Sequence, residues 1–245
     1  MENSTFRRPK VFILTTNWIL FDCFNTLVDD FDQAGSIDGL TTIQHLPVEA
    51  GVFASVEAFR LSYTQSREMN WWQDDSEVHL DVRLAALFLK QEKISDQDVA
   101  VLVTQMLDLF SVTYIDTIRL TRGVEAMLKA WAPIAKLGVV SNFFLPGWPK
   151  KFLEQLDLAD YFEFVIDSAE LNSKKPEAPI YQTAINMTGV EPDKILFVGD
   201  DFLRDVERPR ELGMKARHYC RFGERPGVNK SPETDPIKHW DSFRP

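Results

Sequence analysis

Short apolar segments with the length of β-strands recur along the chain, and in its second half they alternate with segments whose apolar residues have helical spacing. The strand-like segments are 18–24, 134–140, 162–166, 194–198 and 215–220. The helix-like segments are 121–131, 150–158 and 179–187. Strands that alternate with helices pair in parallel through crossover connections, and the helices cover both faces of the sheet. The pattern therefore predicts an α/β fold with a three-layer core and a parallel sheet.

The pattern changes between residues 32 and 116, where strand-like segments are missing and amphipathic helical windows occur at 52–63, 77–89 and 96–110. Ser95, followed by acidic residues in the next turn, is typical of a helix N-cap. The segment is too long for an ordinary loop. We therefore predict an all-helical cap domain at 32–116, inserted into a core domain formed by 1–31 and 117–245. The alternative is that these helices pack directly on the sheet without a hinge.

Both ends of the chain give weaker signals. Residues 11–14 could add a strand before the first strand-like segment, although the pattern does not place it. The tail from Gly223 contains four prolines and is predicted to be irregular.

The composition and net charge of the chain limit the kinds of molecule that it is expected to bind. The 245 residues are 44% hydrophobic, which suits a large buried core. The 27 basic residues against 37 acidic ones give a net charge of -10, which argues against nucleic acid or an anionic membrane as a partner. A small anionic substrate would need a local basic pocket. No apolar run is long enough to predict a transmembrane helix, and two cysteines make no disulfide framework. We expect a reduced, cytoplasmic protein, and the sequence leaves its oligomeric state open.

Chemistry-bearing side chains follow the predicted strands. Asp22 follows an apolar run, Ser141 ends the next strand-like segment, and Asp200 comes directly after another. Carboxyl ends of parallel strands meet at one edge of a sheet, which is where sites form in such folds. Lys175, followed by Pro176, lies in the segment between the third strand and the next helix and could supply a positive charge.

These four motifs, in this order, resemble those of the haloacid dehalogenase superfamily, whose members have a Rossmann-like core and often a helical cap after the first motif. The resemblance implies a hydrolase in which Asp22 is the nucleophile and forms a covalent aspartyl intermediate. Ser141 would bind a substrate oxyanion, and Lys175 would offset the negative charge. Further substrate contacts are expected from four residues, Asn25, Thr26, Asn142 and Phe143.

The resemblance also implies a Mg²⁺ site. Its ligands would be a side-chain oxygen of Asp22, the backbone carbonyl of Phe24, and Asp200, with Asp201 binding directly or through water. Alternatively, Asp200 and Asp201 form a solvated turn or a helix N-cap. The sequence leaves two roles open for Asp205: a role near Lys175 or a cap at the start of a helix. The four histidines are scattered, and the sequence indicates no role for them.

Phe24 departs from the pattern of the phosphatases in this superfamily, which carry a second Asp two residues after the nucleophile as general acid and base. In the 2-haloacid dehalogenases that position is non-acidic, but those enzymes lack the acidic fourth motif and hold the halide with an Arg that is missing around Phe53. We therefore favour Mg²⁺-dependent hydrolysis of a small phosphorylated metabolite. The alternatives are a metal-independent 2-haloacid dehalogenase and a weakly active or non-catalytic ligand-binding protein.

Overall fold

The computed structural model describes residues 16–30, 40–68, 76–91, 94–221 and 230–245. The possible strand at 11–14 and the start of the predicted cap lie outside these ranges. The bounds of the two domains therefore remain a prediction.

A five-stranded parallel sheet forms the centre of the molecule, with the strand order β5-β4-β1-β6-β7. Its strands are β1 (Trp18–Phe21), β4 (Lys136–Ser141), β5 (Phe164–Asp167), β6 (Ile195–Gly199) and β7 (Lys215–His218). All five lie within or next to the segments predicted from the apolar pattern. The first strand in the chain is the middle one, so β1 delivers the residues after it to the centre of the carboxyl edge.

Alternate residues of β1 belong to different hydrophobic cores, which shows that the sheet is covered on both faces. Ile19 and Phe21 pack in one core with helices α5 (Val124–Trp131) and α6 (Trp148–Gln155). Trp18 and Leu20 pack in the other core with helix α8 (Ala178–Thr188). The helices of the sheet domain are α5 (Val124–Trp131), α6 (Trp148–Gln155), α7 (Ser168–Leu171), α8 (Ala178–Thr188) and α9 (Arg208–Glu211), with a π-helix at Phe202–Glu207. The predicted three-layer α/β fold is confirmed.

A two-stranded antiparallel sheet, which the sequence analysis missed, lies where the chain enters and leaves the helical segment. Strand β2 (Val28–Asp30) pairs with β3 (Ile118–Leu120). Asp29 of β2 is buried and accepts a hydrogen bond from the Arg221 guanidinium at 2.9 Å. A buried carboxylate in a three-residue strand hides the apolar pattern on which strand prediction depends.

Between these two strands the described residues are helical or irregular. The helices are α1 (Leu46–Glu49), α2 (Val56–Glu68), α3 (Leu80–Leu89) and α4 (Asp96–Thr113), and the 3-10 turns are Leu40–Thr42 and Tyr114–Thr117. Among the described residues, one helical segment, Asp96–Thr117, is long and apolar enough to cross a membrane. This criterion uses length and composition only, so it is weak evidence for a membrane span. One side of α4 is buried in the core that it shares with α3.

The tail packs against the loop that follows β1. Trp240 lies in a short 3-10 helix (Trp240–Ser242), is fully buried, and donates a hydrogen bond from Nε1 to the carbonyl of Thr26 at 3.1 Å. Its ring stacks on Tyr219 with centroids 4.2 Å apart. The tail was predicted to be irregular, and most of its described part is irregular. It nevertheless supports the loop just after Asp22.

The predicted N-cap of α4 is confirmed, since the Ser95 hydroxyl accepts a hydrogen bond from the Asp98 amide at 3.2 Å. Ser95→Ala is expected to lower the free energy of unfolding by about 1 kcal/mol, because an amide of the first turn loses its partner. Urea denaturation followed by circular dichroism measures this loss. Thr104→Ala is the matched control, since the exposed Thr104 hydroxyl only donates to a carbonyl one turn earlier on the same helix. Equal losses in the two variants would contradict the cap's contribution.

Candidate active site

The loop after β1 turns sharply and leaves Asp22 at the edge of the sheet. The Asp22 amide donates to the carbonyl of Val198 on β6 at 2.9 Å, and the Asn25 amide donates to the carbonyl of Val28 at 2.6 Å. Asn25 has a φ of 63°, in the left-handed region that Asn tolerates better than most residues. Asp22 is 8% exposed. The turn therefore holds a nearly buried carboxyl group at the centre of the carboxyl edge.

Lys175 bridges two carboxylates at this edge. Its Nζ donates to Oδ1 of Asp22 at 2.7 Å and to Oδ1 of Asp205 at 2.8 Å, and its side chain is 2% exposed. Burial alone would lower the pKa of Lys175, but the charges of Asp205 and Asp22 outweigh burial and raise that pKa well above its usual value. Lys175 therefore keeps a fixed positive charge in contact with Asp22.

Three carboxylates, those of Asp22, Asp200 and Asp205, come together beside Lys175. One oxygen from each lies within 4.8 Å of the others. Mg²⁺ prefers carboxylate oxygens at about 2.1 Å, so two oxygens on opposite sides of one ion lie about 4.2 Å apart. Small side-chain movements would bring these oxygens to that spacing, and the donor set fits the ion. Gly199 makes the close approach possible, because a Cβ at this position would clash with the Asp205 carboxyl group.

The Asp201 carboxylate has a partner in the helix that follows it. Its Oδ1 accepts a hydrogen bond from the Arg204 amide at 2.9 Å and so caps the π-helix Phe202–Glu207. Oδ2 of Asp205 in turn accepts a hydrogen bond from the Asp201 amide at 3.0 Å. Of the alternatives that the sequence left open, Asp201 forms a helix N-cap and Asp205 lies beside Lys175. The cluster found among the described residues consists of Asp22, Asp200 and Asp205, and the part of Asp201 at the metal, direct or through water, stays a prediction.

The two hydroxyl groups predicted to meet substrate are buried without a partner. Ser141 ends β4, directly beside β1, and Thr26 lies in the loop after Asp22; both residues are 0% exposed. Within the described part of the chain neither Oγ of Ser141 nor Oγ1 of Thr26 has a hydrogen-bond partner. Leaving a buried hydroxyl unsatisfied costs about 1–3 kcal/mol. Such a cost is expected where a ligand completes the hydrogen bonds.

Asn142 uses its side chain on the protein itself. Its Nδ2 donates to the backbone carbonyl of Lys175, and its Oδ1 accepts from the backbone amide of Lys175, both at 2.8 Å. Both polar atoms of the Asn142 side chain therefore have a partner in the Lys175 backbone, and its contact with substrate stays a prediction. In this arrangement Asn142 positions Lys175.

Phe24 and Phe143 belong to an aromatic cluster that joins the sheet domain to the helical segment. Their rings stack with centroids 4.7 Å apart and an interplanar angle of 12°, and Phe152 packs edge-on against both. Phe143 is buried and also stacks on Tyr114, which follows α4. The remaining rings of the cluster are Phe110, Phe144 and Trp148. Phe143 thus packs between Phe24 and Tyr114, and its contact with substrate stays a prediction.

Cys23, between Asp22 and Phe24, is fully buried, and burial raises the pKa of its thiol well above the usual value. A buried neutral thiol packs as a small apolar group and is a poor nucleophile. The carboxylate of Asp22 is therefore the candidate nucleophile on this loop.

His218, to which the sequence indicated no role, supports the loop that carries Asp200. It is the last residue of β7, and its Nε2 donates to the backbone carbonyl of Asp200 at 2.9 Å. Its Nδ1 lies 2.7 Å from the Ser231 hydroxyl, which accepts from the Glu233 amide and so has its own proton free to donate to Nδ1. Because a carbonyl only accepts, Nε2 carries a proton in its contact with Asp200. His218 lies at the end of a strand that pairs with β6. That position is the signal from which its role near the site could have been found.

A family model described as haloacid dehalogenase-like hydrolase matches residues 16–213, which is most of the chain. The chain belongs to this family. The resemblance seen in the four motifs is thereby confirmed.

Two relatives illustrate the range of the family. The chain is 31% identical over 146 residues to the haloacid dehalogenase-like hydrolase domain-containing protein 3 of Bos taurus, covering 59% of this chain and 53% of that protein. It is 31% identical over 97 residues to the glyceraldehyde 3-phosphate phosphatase of Pyrococcus furiosus, covering 38% of this chain and 40% of the relative. The matches thus span about half of these relatives or less.

Solved structures share the fold over nearly the whole chain. A phosphatase of this family from Thermococcus onnurineus has a TM-score of 0.63 at 21% identity, covering 92% of this chain and 95% of the other. A 2-haloacid dehalogenase from Pseudomonas syringae has a TM-score of 0.67 at 19% identity with the same coverage. A hydrolase of the family from Bacillus subtilis, bound to magnesium, has a TM-score of 0.60 at 16% identity, covering 92% and 96%. At these identities the likeness concerns the fold alone.

Asn142→Ala is expected to lower the free energy of unfolding by about 1–3 kcal/mol, since both hydrogen bonds to the Lys175 backbone are lost. Asn142→Asp should cost at least as much, because a carboxylate oxygen would face the Lys175 carbonyl where the Nδ2 donor now lies. Urea denaturation measures both. Asn186→Ala is the control, since Asn186 is exposed and bonds only to Gln182 on the same helix. Losses no larger than that of the control would contradict the positioning role of Asn142.

Proposed function

We propose that the protein is a phosphatase-type hydrolase that uses Asp22 as its nucleophile and passes through an aspartyl phosphate. The observation that carries this proposal is the buried Lys175 in contact with Asp22 and Asp205, beside Asp200. An oxygen of Asp22 attacks the phosphorus, and the bond to the leaving oxygen breaks. Water then attacks the phosphorus of the aspartyl phosphate, which releases inorganic phosphate and restores the carboxylate.

Attack by a carboxylate on a phosphate brings like charges together, and the site is arranged to offset this repulsion. Lys175 stays charged because two carboxylates surround it, and it can approach a phosphoryl oxygen next to Asp22. The unpartnered hydroxyls of Ser141 and Thr26 are suited to donate to the other phosphoryl oxygens. Fixed donors of this kind stabilise the charge that develops in the transition state.

We propose Mg²⁺ as the cofactor, held by Asp22 and Asp200 together with the backbone carbonyl of Phe24. When bound, the ion would offset negative charge on the phosphoryl oxygens and on Asp22. Asp205 completes the carboxylate cluster and also holds Lys175. The fit of the donor set and the magnesium bound to the Bacillus subtilis relative support this choice.

A small phosphorylated metabolite is the proposed substrate, which the glyceraldehyde 3-phosphate phosphatases among the relatives support. The net charge of -10 makes nucleic acid and anionic membranes unsuitable partners. We place this activity in the cytoplasm. A metal-independent 2-haloacid dehalogenase is the second candidate, favoured by the apolar side chain of Phe24 alone.

Hydrolysis of 4-nitrophenyl phosphate is expected to require Mg²⁺, to stop on addition of EDTA, and to fall at least about 1000-fold in Asp22→Asn, which lacks the nucleophilic carboxylate. Release of nitrophenol measures the rate, and Asn186→Ala serves as a control with an intact site. Chloride release from 2-chloropropionate that is unaffected by EDTA, without phosphate hydrolysis, would overturn the proposal in favour of the dehalogenase. A stable protein that turns over neither compound would point to the non-catalytic alternative.

His218 is expected to act as a positioning residue for the metal site, since its Nε2 holds the Asp200 backbone. His218→Leu should weaken Mg²⁺ binding about 10-fold, as for other groups that orient metal ligands, whereas His218→Gln keeps an N–H donor and should stay near the parent value. The readout is the rise in Tm that added Mg²⁺ produces in each variant, relative to its own metal-free Tm. Equal Mg²⁺ dependence in the leucine variant and the parent would contradict this role.

A further inference from the structure

One acidic residue of the helical segment, Glu77, is buried against the sheet domain. Its side chain is 5% exposed, and its Oε1 accepts a hydrogen bond from the Arg83 guanidinium at 2.7 Å. Its Oε2 accepts a hydrogen bond from the hydroxyl of Ser168 at 2.7 Å. Ser168 is fully buried and begins α7, directly after β5. A carboxylate removed from water needs such partners. Because its partners lie in both parts of the molecule, Glu77 joins the helical segment to the sheet domain.

The hydroxyl of Ser168 connects Glu77 to the loop after β4. Oγ of Ser168 accepts a hydrogen bond from the Phe143 amide at 2.9 Å and lies 3.1 Å from the Phe143 carbonyl. The hydroxyl has one proton to donate, and a carboxylate at 2.7 Å is the stronger acceptor. The proton therefore points to Glu77, and the Phe143 amide meets a lone pair. Glu77 thus fixes the orientation of the hydroxyl that holds the Phe143 backbone.

The start of α3 contacts the same loop one residue further on. The Leu80 amide donates a hydrogen bond to the Phe144 carbonyl at 3.0 Å. The Arg83 guanidinium lies over the Phe144 ring, 5.4 Å from its centroid. Residues 77–83 therefore hold the loop after β4 through both backbone and side-chain contacts.

Three consecutive residues join this contact to the candidate active site. Ser141 ends β4 and carries a hydroxyl suited to a phosphoryl oxygen. Asn142 makes two hydrogen bonds to the Lys175 backbone, and Phe143 follows it with the amide that Ser168 holds. A shift of the Phe143 backbone would therefore move Asn142, and with it Lys175. A misplacement of about 1 Å in a catalytic site can lower a rate about 100-fold.

On the basis of the proposed phosphatase function, we propose that Glu77 is a positioning residue that acts through Ser168 on the loop after β4 and thereby sets the place of Lys175 beside Asp22. The helical segment then contributes to alignment of the lysine through one buried carboxylate. Lys175 stabilises charge that develops as Asp22 attacks, so the loss of Glu77 should lower kcat and leave KM nearly unchanged.

Two variants and their combination test this path in the Mg²⁺-dependent hydrolysis of 4-nitrophenyl phosphate. Glu77→Gln has nearly the same shape but one acceptor oxygen for two donors, and Ser168→Ala removes the connecting hydroxyl. Each should lower kcat about 10-fold with KM within about 2-fold of the parent value. The double variant should also lose about 10-fold, because both changes interrupt one path. A loss of about 100-fold in the double variant, or unchanged kcat in the single variants, would overturn the proposal.

Glu125→Gln is the matched control for the loss of a paired carboxylate. Glu125 is exposed and pairs with Lys129 on its own helix, so this variant should keep the kcat of the parent. A loss of kcat equal to that of Glu77→Gln would contradict a specific role of Glu77.

Amide hydrogen exchange tests the same path without turnover. The Lys175 amide donates to Oδ1 of Asn142 and should exchange about 10-fold faster in Glu77→Gln and in Ser168→Ala than in the parent. The Tyr219 amide, bonded to the Gly199 carbonyl, is the internal control and should be unchanged. Unchanged exchange at Lys175 would overturn the positioning role.

Faster exchange at Lys175 in variants of a protein that hydrolyses no phosphate would support the path from Glu77 to Lys175 and contradict the phosphatase function. If one variant fails to fold, the other decides. If neither folds, Glu77 and Ser168 are needed for the fold itself, and the positioning role is overturned.

Discussion

The buried ammonium group of Lys175 is the constraint around which the carboxyl edge of the sheet is built. An unpaired charge in a protein interior is very unfavourable, so a lysine that is 2% exposed requires carboxylates in direct contact. Asp22 comes from the central strand and Asp205 from the helix after β6, while Asn142 holds the lysine backbone from the end of β4. Three separate segments must converge before the lysine can be buried. Stability and the candidate chemistry therefore depend on the same contacts.

Much of this arrangement could be predicted because it follows from strands. Apolar runs located the five parallel strands, and the polar residues after them had to meet at one edge. Asp22, Ser141 and Asp200 lie there as expected, and Lys175, singled out by the Pro that follows it, contacts Asp22. The short strands β2 and β3 were missed because three residues with a buried Asp29 carry little pattern.

Side-chain direction within the loops could not be predicted. The direction of the Asp201 side chain depends on a π-helix that begins directly after Asp201 and is capped by its carboxylate. Asn142 contacts the backbone of Lys175, which lies 33 residues further along the chain. Phe143 stacks on Tyr114, which follows α4 at the end of the helical segment. His218 contacts Ser231, which lies in the tail, 13 residues further along the chain. These choices follow from tertiary contacts rather than local sequence.

The contacts of the tail with the site affect the order in which the site can be completed while the chain is being synthesised. Trp240 supports the carbonyl of Thr26, and Ser231 orients the histidine that holds Asp200. All five strands of the parallel sheet precede this tail in the chain, so a ribosome-bound chain could form the sheet while the loops at its edge still lack these supports. The supports of the two loops, one after β1 and one after β6, both come from residues 230–245. Neither loop can have its support until that segment has been synthesised and has left the exit tunnel.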